Sequence, residues 1–382
     1  PPTPAVEPEK TLDEVLDEHP VSIQVNGEWQ TFPNVKAAEE ASYEEYKANL
    51  RRTAENFRIT DDHLGEGGPK AKFQANVEAI KLLKYLEETT EQATPEQQKI
   101  LSRYVGWGGL ADAFDPDKES WSKEYAQLKE LLTPEEYAAA RGSTLNAHYT
   151  SPTVIKAIYE AVGRMGFETG NILEPSCGVG NFFGMLPEEM RNSRLYGVEL
   201  DSISGRIAQQ LYPKADITVA GFETTDRRDF YDLAVGNVPF GQYQVRDKAY
   251  DKLNFSIHNY FFAKALDQVR PGGVVAFVTS RYTMDAKDST VRRYLAQRAE
   301  LLGAIRLPND AFKKNAGAEV VSDIIFLQKR DRPLDIVPEW TQTGQTEDGF
   351  AINRYFLDHP EMVLGRQEPE STAHGMDYTV NP

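Results

Sequence analysis

The rhythm of apolar and polar positions changes twice along this chain. Residues 21–25 and 28–32 alternate on either side of Asn26-Gly27, which predicts a two-stranded hairpin. From residue 35 to about 141 apolar residues recur at helical intervals, predicting helices over 37–52, 73–88, 95–104 and 123–132. Thr94-Pro95-Glu96-Gln97 and Thr133-Pro134-Glu135-Glu136 each read as a cap followed by proline at the first helical position. From residue 146 short apolar runs alternate with amphipathic stretches. They predict helix 152–165, strand 171–173, helix 181–190, strand 194–198, helix 202–211, and strands 217–219 and 231–235. Helix 258–269, strand 273–279, helix 287–299, strand 302–305 and a final pairing through 320–327 follow. This is the α/β signature. Beyond 330 the chain turns polar and proline-punctuated, with one short helical stretch near 351–357 and no internal repeat. The expected organisation is a Pro/acid-rich linker and β-hairpin (1–34), a mostly helical domain (35–145), an α/β domain (146–330) and an extended tail towards a missing C-terminal part (331–382).

Composition narrows the class. At 382 residues the chain can hold two domains, or one large domain with additions. Hydrophobic content of 40 % and charged content of 26 % describe a soluble globular protein. No apolar run approaches the roughly 20 residues of a membrane span, and no basic-then-apolar signal segment opens the chain. The start Pro1-Pro2-Thr3-Pro4, without an initiator Met, points to a piece of a longer polypeptide. The single cysteine, Cys177, excludes a disulfide or cysteine-based zinc site within the chain, and a reducing cytoplasm fits best. The six histidines are scattered with no pair at metal-ligand spacing, so no metal is expected. The net charge of −17 argues against a chain that grips duplex DNA alone, because phosphate contacts supply most of such affinity. Any nucleic-acid contact must be local or supplied by a part outside this chain.

Candidate chemistry gathers in the α/β part. Glu174-Pro175-Ser176-Cys177-Gly178-Val179-Gly180-Asn181-Phe182 follows a strand and opens a helix. Gly178 and Gly180 let the backbone approach a ligand, and the helix start presents free amide donors. A dinucleotide loop would carry a third glycine where Phe183 stands. Glu174 suits a cationic group, the ammonium or sulfonium of S-adenosylmethionine. Glu199, at the end of the next strand, can accept both ribose hydroxyls. Its alternative role is a helix-terminal acid, for which Asp201 is the better candidate. Farther on, Gly236-Asn237-Val238-Pro239-Phe240 ends an apolar run. It sets an amide and a ring side by side, equipment for holding a planar amine. Two glycine loops, Gly65-Glu66-Gly67-Gly68-Pro69 and Gly106-Trp107-Gly108-Gly109, lack the Gly-Lys-Ser/Thr ending of a triphosphate loop. They read as turns, with Trp107 as a packed anchor.

Together these motifs resemble the γ-type amino-methyltransferases, the arrangement of adenine-specific DNA methyltransferases and type I modification subunits. Tyr149-Thr150-Ser151-Pro152 resembles their opening motif, 174–182 motif I and Gly197-Val198-Glu199 motif II, with Leu200 beside it. Ala220-Gly221-Phe222-Glu223 stands where motif III meets the cofactor's adenine, and Asn237-Val238-Pro239-Phe240 resembles the catalytic Asn-Pro-Pro-Tyr/Phe motif. Leu307-Pro308-Asn309-Asp310-Ala311-Phe312, followed by Val321-Ser322-Asp323-Ile324-Ile325-Phe326, resembles the late motif, whose aromatic stacks on the flipped base. The flanks 65–76, 104–110 and 351–365 resemble the methylase portion of large helicase–methylase fusions of bacterial mobile elements and phages.

The resemblance implies a Rossmann-like S-adenosylmethionine-dependent methyltransferase sheet with a helical N-terminal domain. It implies methyl transfer to the exocyclic amine of adenine in DNA, in a bacterial cytoplasm, with DNA recognition aided by a recognition or helicase region outside this chain. The implied cofactor residues are Tyr149, Thr150, Glu174, Pro175, Ser176, Gly178, Gly180, Asn181, Phe182, Glu199, Leu200 and Phe222. Asn237, Pro239 and Phe240 are the implied catalytic residues, and Phe312 the base-stacking one. Two departures stand out. Val238 replaces the first proline of the catalytic motif, which loosens the turn, and only about fifty residues follow 330, too few for a recognition domain. The amine chemistry leaves cytosine or a protein glutamine open as substrates, and a cofactor-binding module acting in anti-restriction without catalysis is the reading from another class. Cys177, inside the cofactor loop, reads as packing and not as a nucleophile. Tyr282 is a weaker pocket candidate, the helical region is expected to bring Trp107 or Lys72 near the cleft, and Lys248, Lys252, Arg292 and Arg293 read as a solvated face.

Overall fold

The computed structural model describes residues 8–145, 149–241, 243–312 and 320–382. The first seven residues of the expected linker, and residues 146–148 at the start of the expected α/β part (His148 among them), lie outside. The chain begins with a short helix, α1 (Leu12–Glu18), where a linker was expected. Thr11 accepts from the Glu14 amide while the Glu14 carboxylate accepts from the Thr11 amide, a capping box that satisfies two otherwise orphaned donors. The hairpin follows as β1 (Val21–Val25) and β2 (Glu28–Phe32), turning at Asn26 and Gly27, both with positive φ.

The helical region holds α2 (Val35–Thr53), α3 (Pro69–Thr89), α4 (Pro95–Leu101), α5 (Ser122–Leu131) and α6 (Pro134–Gly142). Both Thr-Pro caps form as expected, Thr94 and Thr133 each accepting from the amide three residues on.

After α7 (Pro152–Arg164) comes the sheet: β3 (Asn171–Glu174), β4 (Arg194–Glu199), β5 (Asp216–Val219), β6 (Tyr231–Asn237), β7 (Val269–Ser280), β8 (Ala299–Arg306) and β9 (Ser322–Lys329). The strand order is β5-β4-β3-β6-β7-β9-β8, with β9 antiparallel to both neighbours and the pairings from β5 through to β7 parallel. The connecting helices are α8 (Asn181–Gly184), α9 (Ser202–Leu211), α10 (Ile257–Gln268), α11 (Tyr282–Asp285) and α12 (Thr290–Arg298). This is the Rossmann-like methyltransferase sheet that the motifs implied. Strand direction of travel reverses between β3 and β6, and in such sheets the crevice beyond the carboxyl ends at that reversal is the ligand site.

Alternating strand residues feed two cores, one on each face. Ile172, Leu233, Val235, Ala276 and Val278 face one cluster, which runs without a break into Phe73, Ile80, Leu83, Trp107 and Leu128 of the helical region. Leu173, Ala234, Val275 and Phe277 face the other, shared with α10 and the chain's end.

Three expectations are corrected here. The helix expected over 181–190 stops after one turn, because the Gly184 carbonyl accepts from the Ile59 amide of the helical region at 2.9 Å and Pro187 offers no amide to continue. The tail expected to be extended is folded. It forms β10 (Thr343–Gln345), β11 (Ala351–Asn353), α13 (Arg354–Asp358) and the hairpin β12 (Arg366–Thr372) with β13 (Gly375–Asn381). Its widely spaced Ile352, Phe356, Tyr378 and Val380 are buried in the second core. Arg292, read as solvated, is likewise buried, its Nε donating to the Thr341 carbonyl at 2.8 Å.

Candidate functional site

A cavity of about 660 Å³ opens at the carboxyl ends of β3, β4 and β6, within the range of small-ligand sites. Each strand delivers its last residues to it: β3 brings Glu174 and the loop Pro175-Ser176-Cys177-Gly178, β4 brings Glu199 and Leu200, and β6 brings Asn237, Val238 and Pro239. Gly180 does not line it. It shapes the loop, with φ +87° and the Tyr212 ring so close that an added Cβ would lie 2.5 Å away. Tyr149, Thr150, Asn181, Phe182 and Phe222 complete the expected set on the wall. A second glycine acts at a distance: Gly65 lies under the Tyr149 ring, where a Cβ would also meet it at 2.5 Å. That contact, and not turn-making alone, explains the first glycine loop.

The polar groups are arranged for incoming donors. Glu174 is buried and its Oε2 has no partner, and Asn181 Oδ1 and Asn237 Oδ1 are buried acceptors in the same condition. Such groups cost free energy until something donates to them. Burial pushes the Glu174 carboxyl well above its ordinary range, and the neighbouring Glu199 adds repulsion. Glu199 accepts from the Gly178 amide and the Asp201 amide, each at 2.8 Å, yet burial still raises it to about 7. Asp201 takes the helix-cap role, its Oδ2 accepting from the Ser204 amide. Leu200 stays 74 % exposed beside the cavity, an apolar face left open to a ligand. Phe222 is packed against Phe261, ring centroids 4.9 Å apart. Burial likewise pushes the Cys177 thiol well up, which keeps it inert.

Asn237 lines the cavity, its Nδ2 donates to Thr150 Oγ1 at 3.1 Å, and its buried Oδ1 has no partner. Val238, expected to loosen the turn, instead holds it. Its amide, which a proline would lack, donates to the Val278 carbonyl at 3.1 Å and prolongs the β6–β7 ladder.

Two expected aromatics are not brought into the cavity. Phe240 is half-buried against both cores, and Phe312 is 1 % exposed within the first. Tyr282 and Lys72 also stay off the wall, while Trp107 is both a packed anchor and part of the lining. Sequence reasoning missed Tyr243, half-exposed at the cavity mouth, and Tyr104, Val105, Gly142 and Ser143 from the helical region. The run Tyr104-Val105-Gly106-Trp107, with its glycine at φ +78°, was the available signal. Among the described residues no group of three or more His, Cys, Asp or Glu is arranged to hold a metal ion, and no helix is long and apolar enough to cross a membrane.

The family profile described as N-6 DNA Methylase matches residues 130–342, more than half of the chain. The chain belongs to the N-6 DNA methylase family. Defense against restriction protein B of Escherichia phage P1 is 29 % identical to this methylase over 272 residues, 69 % of this chain and 10 % of the phage protein. Type II methyltransferase M.CvrRI of Paramecium bursaria Chlorella virus XZ-6E is 37 % identical over 92 residues, 24 % of this chain and 24 % of the viral protein. The chain thus spans a tenth to a quarter of the length of these relatives. In three dimensions it is similar to a modification subunit of a type I restriction enzyme from Vibrio vulnificus YJ016. That match has a TM-score of 0.41 and 17 % identity, over 75 % of this chain and 67 % of that one. The cofactor of this methylase is S-adenosylmethionine, and the pocket fits it: the buried Glu174 carboxyl answers its positive charge, Glu199 offers acceptors for its hydroxyls, and orphaned acceptors answer its other donors.

Proposed function

We propose that the chain transfers a methyl group from S-adenosylmethionine to the exocyclic amine of adenine in DNA, as part of a larger modification or anti-restriction protein. The observation that carries this reading is Asn237 on the cavity wall, its Nδ2 engaged by Thr150 and its buried Oδ1 left without a partner. An amine hydrogen donated to that oxygen leaves the nitrogen lone pair directed at the donor side of the site. When bound, the cofactor supplies an electrophilic methyl group. Glu174 and Asn181 hold its amino-acid end, Glu199 the ribose hydroxyls, and Leu200 and Phe222 the adenine. Tyr149, Pro175, Ser176, Gly178 and Phe182 shape the walls around it. Pro239 fixes the turn that presents Asn237, and Phe240 and Phe312 support it from the cores. No strong base is required, because the amine becomes acidic only after alkylation. Catalysis is then positioning in a site from which water is excluded, and the target base leaves its stack at a cost of a few kcal/mol.

The acidic balance is not spread evenly. Residues 146–330 carry 23 Lys and Arg against 21 Asp and Glu, whereas 1–145 carry 16 against 28 and 331–382 carry 3 against 10. Arg246, Lys248 and Lys252 are exposed on the loop that follows Asn237 and includes Tyr243. DNA contact is therefore local to the cavity mouth, with further affinity supplied by a recognition or helicase region outside this chain, in a bacterial cytoplasm. The test is incubation with methyl-labelled S-adenosylmethionine and bacterial genomic DNA, followed by nucleoside mass spectrometry. Labelled N6-methyladenine is expected from the native chain and none from Asn237→Ala with cofactor binding intact. Labelled methylcytosine or labelled protein would move the substrate, and loss of cofactor binding in Asn237→Ala would contradict the role given to that amide.

A further inference from the structure

The cavity has a wall that the motifs of the methyltransferase sheet do not supply. It comes from the loop at 104–107, which the family profile does not reach, together with the end of α6, which it does, and it borders the Asp201 and Ser204 edge. We propose that the helical N-terminal region is a working part of the cofactor site: the loop at 104–107 and the last turn of α6 close over the adenosyl half of S-adenosylmethionine. This rests on the cofactor reading above and extends it to residues that no motif of the methyltransferase sheet contains.

Three features show a built wall and not a loose cover. Asn76 of α3 is fully buried and uses its whole amide on the loop: Oδ1 accepts from the Val105 amide at 2.9 Å, and Nδ2 donates to the Gly106 carbonyl at 2.6 Å. The loop backbone is therefore fixed from within the helical region, with Trp107 locked edge-on among Phe73, Tyr104 and Phe114. Next, α6 is tied to the helix behind the acidic edge. Glu136 accepts from Lys84 Nζ at 2.6 Å and from Arg206 NH1 of α9 at 3.1 Å, and Arg206 also pairs with Glu87. Finally, the wall faces the ligand side. Tyr104 stands beside Ser204 and Asp201, and a Cβ added at Gly106 or Gly142, both of which line the cavity, would meet nothing within 4 Å.

Gly142 makes the decisive variant. It ends a helix without a positive φ, so a side chain there costs no backbone strain and tends to favour the helix. Gly142→Phe places a ring on the helical side of the cavity wall and leaves the methyltransferase motifs untouched. Isothermal titration with S-adenosylhomocysteine should show binding at least tenfold weaker than that of the native chain, with a ligand-free thermal midpoint unchanged or higher. Tyr104→Phe, which removes only the hydroxyl beside Ser204 and Asp201, should weaken binding about threefold. It decides the matter alone if Gly142→Phe does not fold. Affinities within twofold of native in the folded variants would overturn the proposal. A native chain that fails to bind the ligand would overturn the cofactor reading itself, a result distinguishable from the first.

Discussion

Glu199 permits a pH prediction that can be worked through from the structure. Two amides, of Gly178 and Asp201, donate to its oxygens at 2.8 Å and favour the ionised form. Burial outweighs them, Asp201 adds repulsion, and the carboxyl stands at about 7. Against an ordinary value of about 4.3, that displacement holds about 3–4 kcal/mol against the ionised form, at 1.36 kcal/mol per pH unit. A carboxyl raised in the folded state contributes stability that is complete below about pH 4.3 and lost as pH rises through about 7. The ligand-free site is thus strained at neutral pH. Hydroxyl donors brought by the ribose favour the carboxylate and pull its pKa down, so binding below pH 7 must release a proton. Affinity for S-adenosylhomocysteine should therefore weaken by up to about tenfold per unit between pH 7 and 5.5, and level off above about 8. Titration calorimetry in two buffers of different ionisation enthalpy measures both the slope and the proton released. Glu199→Gln should bind more weakly at every pH and lose the slope. A flat native profile, or the same slope in Glu199→Gln, would refute the reasoning.

Two further outcomes follow from single contacts. Thr150→Val removes the acceptor that orients Asn237; at about 1 kcal/mol for a neutral hydrogen bond, turnover should fall about fivefold, measured as initial rate at saturating cofactor. No change in turnover would mean that other packing orients the amide. Asp323→Ala leaves Arg306, fully buried, without its two-point partner and with Asp285, at 2.8 Å, as the carboxylate still bonded to it. Denaturant unfolding should show a loss of about 3–5 kcal/mol, and a loss under about 1 kcal/mol would show that Asp285 alone suffices.

The sheet and its motifs were legible because each rests on local chemistry. Short, largely apolar runs such as 231–235 between turn signals read as strands buried on both faces, and Gly178, Glu199 and Asn237 stand at or just past strand ends, positions that topology turns into one crevice. What stayed hidden depends on distant partners. That α8 would stop after one turn is decided by Ile59, over a hundred residues earlier. The end of the chain reads as polar because its buried residues are few and widely spaced, and its docking is completed by Asn353, which donates to the Met284 and Trp340 carbonyls at 2.7 Å. Phe312 matches an aromatic motif position, but the motif does not say which way a ring points, and here it points into the core. Tyr104 could be read as amphipathic packing, and only the fold reveals that the packed loop borders the ligand.

In the reaction proposed above, the donor and acceptor sides are set by neighbouring strands. Glu174 ends β3 and Asn237 ends β6, strands that pair directly at Leu173 and Ala234. Adjacent strands lie about 4.8 Å apart along the ladder, so the backbone, and not a flexible side chain, sets the distance between the donor and acceptor sides. Gly236 is set by its backbone: its φ of +153° is one that residues with a side chain rarely adopt, while an added Cβ would make only ordinary contact, 3.4 Å from Glu174 Cγ. On the far side Val238 is bonded to Val278 of β7, which anchors the turn to a third strand. A transfer that relies on positioning needs this rigidity, and a methylase with Val for Pro in its catalytic motif still has it. The substitution exchanges a ring constraint for a ladder hydrogen bond, and Asn237 remains fixed to the sheet.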